Sequence, residues 1–302
     1  MRVLVTGGAG FIGSSVARAL AARGDAVAAL DYAQPEALVD GVDMLQGDVG
    51  DSNSMVTVVR GWHPDAVVHL AAVLTDRCAS DIVEGTRANC LGTAVVLDAC
   101  RQSAVDTVLT VASVAAGGDL RSQSVYGLTK WFSERLSMRW QADNPGVRLV
   151  SVRLGWVYGP GRSRGWRDPQ GVVEAFARGE QTVHYPDFSQ PIDWTYIGDA
   201  VEGLIACLDT APKGHDTIDV GGDLRPISDA IEHLRLRYPT VKVVGHPATA
   251  PAASWRMHRE FLETSLGCNP ATKLEDGLDL TTMALEQATG LSSTRLAKVG
   301  PS

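Results

Sequence analysis

Thr6-Gly7-Gly8-Ala9-Gly10-Phe11-Ile12-Gly13 follows the apolar run Val3 to Val5 and leads into an alanine-rich stretch, Ser15 to Arg23. A strand, a glycine-rich turn and a helix are predicted in that order. Gly8, Gly10 and Gly13 satisfy G-x-G-x-x-G, and Gly7, Gly10 and Gly13 satisfy the related G-x-x-G-x-x-G spacing. Glycine permits the tight turn, lets backbone approach a pyrophosphate and lets the helix lie close on its sheet. The unpaired N–H groups of the helix start, at Phe11, Ile12 and Gly13, then face the anion. The pattern in this context predicts a dinucleotide site.

Asp31 stands 24 residues after Gly7, at the end of the next apolar run, Val27 to Leu30. That is near the spacing of about 20 at which an acid hydrogen-bonds the adenosine ribose. A carboxylate there repels a 2′-phosphate, and Tyr32 to Gly41 holds Glu36 and Asp40 but no Lys or Arg, so NAD is expected rather than NADP. Asp48, in Gly47-Asp48-Val49 after a third strand, reads either as a contact to adenine or as a turn-forming aspartate.

Further apolar runs extend the pattern: Ala66 to Leu70, Val108 to Val111, Leu149 to Leu154 and, late in the chain, Thr217 to Val220. They are continuous rather than alternating, as strands covered on both faces must be. The expected fold is α/β, a Rossmann-type doubly wound parallel sheet with a smaller, discontinuous C-terminal substrate domain. Residues 1–155 are assigned to the dinucleotide-binding domain, with 192–222 returning to it. Residues 156–191 and 223–302 are assigned to the substrate part. Its entrance is the stretch Gly155 to Trp166, where glycine and proline cluster with Trp156, Arg162, Arg164 and Trp166. A loop of this kind lies over the carboxyl edge of a sheet. Its arginines and tryptophans, with Trp194, are expected to meet an anionic or aromatic small-molecule substrate.

Tyr126-Gly127-Leu128-Thr129-Lys130 places a phenol and an ammonium at i and i+4 on one helix face. Free tyrosine has a pKa near 10, so action as a base near neutrality needs a shift of about three units, roughly 4 kcal/mol. A neighbouring cation supplies part of that by favouring the phenolate. Ser113 ends the strand Val108 to Val111 and reads either as a hydroxyl orienting the reacting oxygen or as a turn serine.

Composition excludes other classes. The chain has 302 residues, is 45% apolar and carries a formal net charge of −8 with no basic block, which argues against a nucleic-acid partner. Five scattered cysteines, Cys78, Cys90, Cys100, Cys207 and Cys268, form no Cys-x-x-Cys pair and predict reduced thiols and no metal site. With no export segment and no 18-residue apolar run, no membrane association and a cytoplasmic location are expected.

Together these residues resemble the extended short-chain dehydrogenases/reductases, the branch of NAD-dependent epimerases and dehydratases. The likeness covers about nine tenths of the chain. It is carried also by His69-Leu70-Ala71-Ala72, Asn89-Cys90-Leu91-Gly92-Thr93, Arg153-Leu154, Tyr158-Gly159-Pro160-Gly161, and Leu266-Gly267 with Pro270. The resemblance implies a catalytic triad of Ser113, Tyr126 and Lys130, with Lys130 also holding the nicotinamide ribose. It further implies adenine contacts from Asp48 and Val49, a cofactor pocket including Leu70, Ala71, Ala72 and Asn89, and a homodimer.

Two departures concern the substrate. Nucleotide-sugar members of the family usually carry an arginine where Ile192 stands, and Ser113 is followed by Val114-Ala115-Ala116 with no acidic pair of the dehydratase kind. The expected reaction is therefore hydride transfer between nicotinamide and a secondary alcohol or ketone of a small polar or sugar-like molecule. Transient hydride transfer in a nucleotide-sugar epimerase or dehydratase is the alternative. A third is a non-catalytic NAD-sensing protein.

Overall fold

The computed structural model describes residues 1–33, 40–117, 123–163, 168–188, 190–210, 217–248 and 272–290. Strands β1 (Arg2–Thr6), β2 (Ala26–Asp31), β3 (Val42–Gln46), β4 (Ala66–His69), β5 (Thr107–Ser113) and β6 (Arg148–Leu154) join β10 (Ile218–Val220) in one sheet. Its order is β10-β6-β5-β4-β1-β2-β3, and every neighbouring pair is parallel. The chain winds outward in both directions from β1. A crevice forms at the carboxyl ends where that direction reverses, between β1 and β4.

Strand period explains why the runs are unbroken. Val3 and Val5 point into one core with Val16, Leu20, Leu204 and Ile218, while Leu4 points into the opposite core with Leu30, Met55, Val96 and Leu149. Helices α1 (Phe11–Ala22) and α8 (Ile197–Thr210) cover the first face; α2 (Ser52–Trp62), α5 (Gly92–Gln102) and α6 (Val125–Asp143) cover the second. Burying each such side chain contributes about 1.5–3 kcal/mol, which fixes strand register against slippage.

A second core lies beyond β6. Strands β7 (Trp156–Tyr158), β9 (Ile192–Tyr196) and β11 (Asp223–Arg225) form a small mixed sheet in the order β11-β9-β7. β8 (Thr182–Phe188) pairs in parallel with β12 (Lys242–Ala248). These strands pack with α7 (Asp168–Ala177), α9 (Ile227–Arg237) and α10 (Leu274–Thr289). Ile192 and Trp194, expected with the dinucleotide-binding part, belong to this second core because β9 pairs with β7 and β11 rather than with the main sheet. The chain re-enters the first core at Ile197.

No described helix is long and apolar enough to cross a membrane. Cys78, Cys90, Cys100 and Cys207 are free thiols, and Cys268 lies outside the described residues.

Candidate active site

At the turn after β1, Gly7 adopts φ +72°, and its amide and that of Gly8 both donate to the Leu30 carbonyl, at 2.8 and 3.2 Å. A Cβ on Gly13 would lie 2.1 Å from the Gly7 oxygen, so any larger residue would push the helix off the loop. Gly10 begins α1 from extended backbone with no side-chain acceptor over the first turn. The amides there are open to an anion. Asp31 is aimed by two backbone amides, those of Ala9 at 3.1 Å and Ala33 at 3.3 Å, which hold its carboxylate beside the loop. This glycine cradle and its flanking acid fit a dinucleotide.

Asp48 accepts hydrogen bonds from Arg87 at 2.7 Å and from the Gly50 amide at 2.8 Å. Burial pushes its pKa up, but these bonds and the Arg87 charge outweigh it and hold the carboxyl below its ordinary range. Val49 packs on Gly92, where a Cβ would meet its side chain at 3.0 Å.

The opposite wall is the segment Leu70, Ala71 and Ala72 after β4. The Leu70 amide donates to the Thr6 carbonyl at 3.1 Å and that of Ala71 to the Thr6 hydroxyl at 3.3 Å. A π-turn, Arg87–Leu91, follows the short helices α3 (Thr75–Ser80) and α4 (Ile82–Thr86). Such turns recur at functional sites because they rotate one side chain out of helical register. Here it is Asn89, whose amide oxygen accepts from Val73 N at 2.7 Å. Its nitrogen donates to Val73 O and Thr129 Oγ1, both at 2.9 Å. Asn89 thus ties the pocket wall to α6, the helix that bears Tyr126.

Ser113 closes β5 in extended backbone, and its Oγ accepts from Ala115 N at 3.2 Å in the 3₁₀ turn Val114–Ala116. α6 starts against that turn. Ser124 caps it, accepting from Gly127 N at 3.1 Å, and a Cβ on Gly127 would come within 2.5 Å of the Ala115 carbonyl. This close approach brings Tyr126 to Ser113. Burial pushes the Tyr126 phenol up to about 12, while its hydrogen bond with Ser113 and the charge of Arg162 pull the other way.

Lys130 is buried, donates 2.8 Å to the Val111 carbonyl, and stands 5.9 Å from the centre of the Tyr126 ring. Burial lowers its pKa to about 8. The sequence pattern assigns the cationic influence on the phenol to Lys130. In the structure its Nζ, while engaged at β5, stands beside the phenol ring, and the charge of Arg162 also favours the phenolate.

On the substrate side, Arg162 lies over the Trp156 ring at 5.0 Å and donates to the Val157 carbonyl. Trp156 stacks on Tyr158 at 5.9 Å and meets Trp194 edge-on at 5.1 Å. Trp194 is 1% exposed and spends its ring N–H on the Arg225 carbonyl at 3.0 Å, so it builds the second core rather than a substrate surface. Arg164 and Trp166 lie outside the described residues. Ile192 is buried opposite Arg225, whose guanidinium is paired with Asp229 and Glu275. Among the described residues no cluster of three or more His, Cys, Asp or Glu could hold a metal.

Sequence reading missed one arrangement that stiffens the site. Glu134, one turn beyond Lys130, receives two hydrogen bonds from Arg153 of β6, at 2.7 and 2.6 Å, and Asp219 of β10 stands 4.0 Å from the same guanidinium. The signal available was a charged residue, Arg153, inside an otherwise apolar strand end.

A doubly wound sheet with a glycine phosphate loop at one side of its crevice and a Ser/Tyr/Lys set at the other defines a nicotinamide-dependent enzyme. Residues 3–221 match the NAD dependent epimerase/dehydratase family, and the chain belongs to it. NAD is its cofactor. Relatives include UDP-glucuronate 4-epimerase 3 of Arabidopsis thaliana, 30% identical, covering 91% of this chain and 74% of that protein. Another is 2-alkyl-3-oxoalkanoate reductase of Stenotrophomonas maltophilia, 29% identical over 66% of this chain and 63% of its own. UDP-glucose 4-epimerase of Thermus thermophilus, solved with NAD, superposes with a TM-score of 0.81 at 26% identity, covering 95% of this chain and 100% of that one.

Proposed function

We propose that this enzyme epimerises a carbinol carbon of a nucleotide sugar through transient oxidation, with Tyr126 as acid/base, Ser113 orienting the reacting oxygen and Lys130 holding the nicotinamide ribose. The observation that carries the reading is the convergence of Ser113 and Tyr126 at the carboxyl edge of β5, forced by the Gly127 contact with Ala115. When bound, NAD supplies a hydride acceptor that can return the hydride to the same carbon. Tyr126, as the phenolate that Arg162, Lys130 and the positive charge of an oxidised nicotinamide would favour over the buried phenol, takes the carbinol proton and gives it back, so no net proton or hydride is consumed. Elimination needs a further acid or base beside the serine. Val114, Ala115 and Ala116 stand there, which supports epimerisation over dehydration. The curated relatives, mostly epimerases and dehydratases by name, support this reading over net oxidation of a free alcohol.

A second reading, net reduction or oxidation of a ketone or secondary alcohol lacking a diphosphate, is favoured by Ile192. A buried apolar side chain there offers no charge to a pyrophosphate, and a reductase is among the relatives. Incubation with NAD and panels of nucleotide sugars and free alcohols, followed by absorbance of the reduced cofactor and product NMR, separates the two. Isomerised sugar without net NADH supports epimerisation; NADH formed with a free alcohol overturns it. Tyr126→Phe should lower turnover by about 10²–10⁴-fold with the fold intact. Full activity in that variant would refute the role assigned to Tyr126.

We also propose a homodimer, supported by exposed Leu91, Leu128 and Phe132 on the adjoining π-turn and α6. Sedimentation at micromolar concentration tests it, and a monomer would refute it.

A further inference from the structure

His69 ends β4 between the phosphate loop and the catalytic helix, 4% exposed and with no metal-binding cluster around it among the described residues. Both of its ring nitrogens are engaged. Nδ1 lies 2.7 Å from Thr6 Oγ1 and Nε2 lies 3.3 Å from Thr93 Oγ1. The Thr93 hydroxyl donates to the Asn89 carbonyl at 2.7 Å, and the Ser133 hydroxyl on α6 lies 2.9 Å from that carbonyl and from the Thr129 carbonyl and 3.2 Å from Thr93 Oγ1. Thr6, Thr93, Asn89 and Ser133 are buried as well. The chain therefore runs from the last residue of β1, directly before Gly7, through β4 and α5 to the turn of α6 that follows Lys130.

One proton arrangement satisfies the shortest contacts. Thr93 gives its proton to Asn89, so its oxygen accepts Nε2–H, and Nδ1 is left to accept the Thr6 hydroxyl. That requires a neutral imidazole. Burial, with the charge of Lys130 behind it, keeps the ring neutral by lowering its pKa to about 3. An imidazolium would turn Nδ1 from acceptor to donor, and the Thr6 proton would lose its acceptor.

We propose that His69 is a positioning residue: its neutral imidazole fixes the spacing between the phosphate loop, which sets the depth of the dinucleotide, and the helix that carries Tyr126 and Lys130. This rests on the catalytic assignment above. Hydride and proton transfer both depend on that spacing, and a misplacement of about 1 Å can lower a rate by roughly 10²-fold.

The test uses the full chain carrying His69→Phe, Thr93→Val or, as the conservative change, His69→Gln, whose amide can accept from Thr6 and donate to Thr93. Turnover, KM, NADH affinity by fluorescence and amide hydrogen exchange across residues 126–134 are compared with wild type. His69→Phe and Thr93→Val should lower kcat on the order of 10- to 100-fold, leave KM for the sugar within about threefold, and speed exchange in α6. His69→Gln should recover part of both. Should His69→Phe fail to fold, the near-isosteric Thr93→Val breaks the same chain. Lower melting temperature with unchanged kcat and unchanged α6 exchange would reduce His69 to a packing residue and overturn the proposal. If wild type turns over no substrate in the panel, the catalytic reading fails, whereas NADH affinity and α6 exchange still decide the role of His69.

Discussion

Glu134→Gln removes one charge from a pair that is almost wholly inside the protein, with side-chain exposures of 1% for Glu134 and 9% for Arg153. The guanidinium would keep its shape-matched neighbour but lose the charge of that anion, with the carboxylate of Asp219 still 4.0 Å away. Orphaning one member of a buried pair costs about 3–5 kcal/mol, and the surviving Asp219 places this case near the lower end, about 3 kcal/mol. Removing both partners with Glu134→Gln and Arg153→Met leaves no stranded cation. The double variant should therefore lose less than the sum of the two single variants, with a coupling of about 1–3 kcal/mol. Urea denaturation at pH 7.5 measures all four proteins. Because the pair pins α6 to β6, Glu134→Gln should also lower kcat more than it raises KM. A Glu134→Gln loss below about 1 kcal/mol, or strict additivity in the double variant, would refute the reasoning that the pair is a desolvated unit.

Gly13→Ala places a methyl 2.1 Å from the Gly7 oxygen, and strain of about 1–3 kcal/mol falls on the phosphate loop. Calorimetric titration should show NAD binding weakened on the order of tenfold, whereas wild-type affinity would show that the loop yields freely. Asp31→Asn removes the negative charge aimed by Ala9 and Ala33, so the ratio of NAD to NADP affinity should fall several-fold; an unchanged ratio would remove Asp31 from cofactor selection. For His69, the folded pKa of about 3 lies below the unfolded value near 6.5, so the unfolded chain binds the extra proton between those limits. Stability from this group is complete above pH 6.5 and is lost as pH falls toward 3, with a slope of about 1.4 kcal/mol per unit. Between pH 7 and 5 wild type should lose about 2 kcal/mol more than His69→Gln in urea titrations, and parallel losses would refute the buried neutral ring.

The buried strands, the phosphate loop and the Tyr126/Lys130 spacing were legible in sequence because each rests on local periodicity or on a residue whose chemistry is needed at a fixed offset. Continuous apolar runs announce strands covered on both faces, and glycine at 7, 10 and 13 announces a close backbone approach. Asn89 and His69 were visible as motif members, but their work was not. Their partners, Val73, Thr129, Thr6 and Thr93, stand between 16 and 63 positions away and meet them only through the parallel sheet and the π-turn.

Trp194 marks the other limit. Sequence reading sets it among the substrate contacts, but pairing of β9 with β7 and β11 turns it into the second core, and no local pattern encodes that long-range choice. Arg162 and Lys130 show the same division. Sequence placed a cation one helical turn from the phenol, and the tertiary structure anchored that cation on the Val111 carbonyl beside the ring and added the charge of Arg162 from the loop after β7. The residues that can do the chemistry are thus written in the chain. Which charge acts on which group was decided by the fold, because a buried ion's influence depends on distances and desolvation that exist only after the sheet has formed.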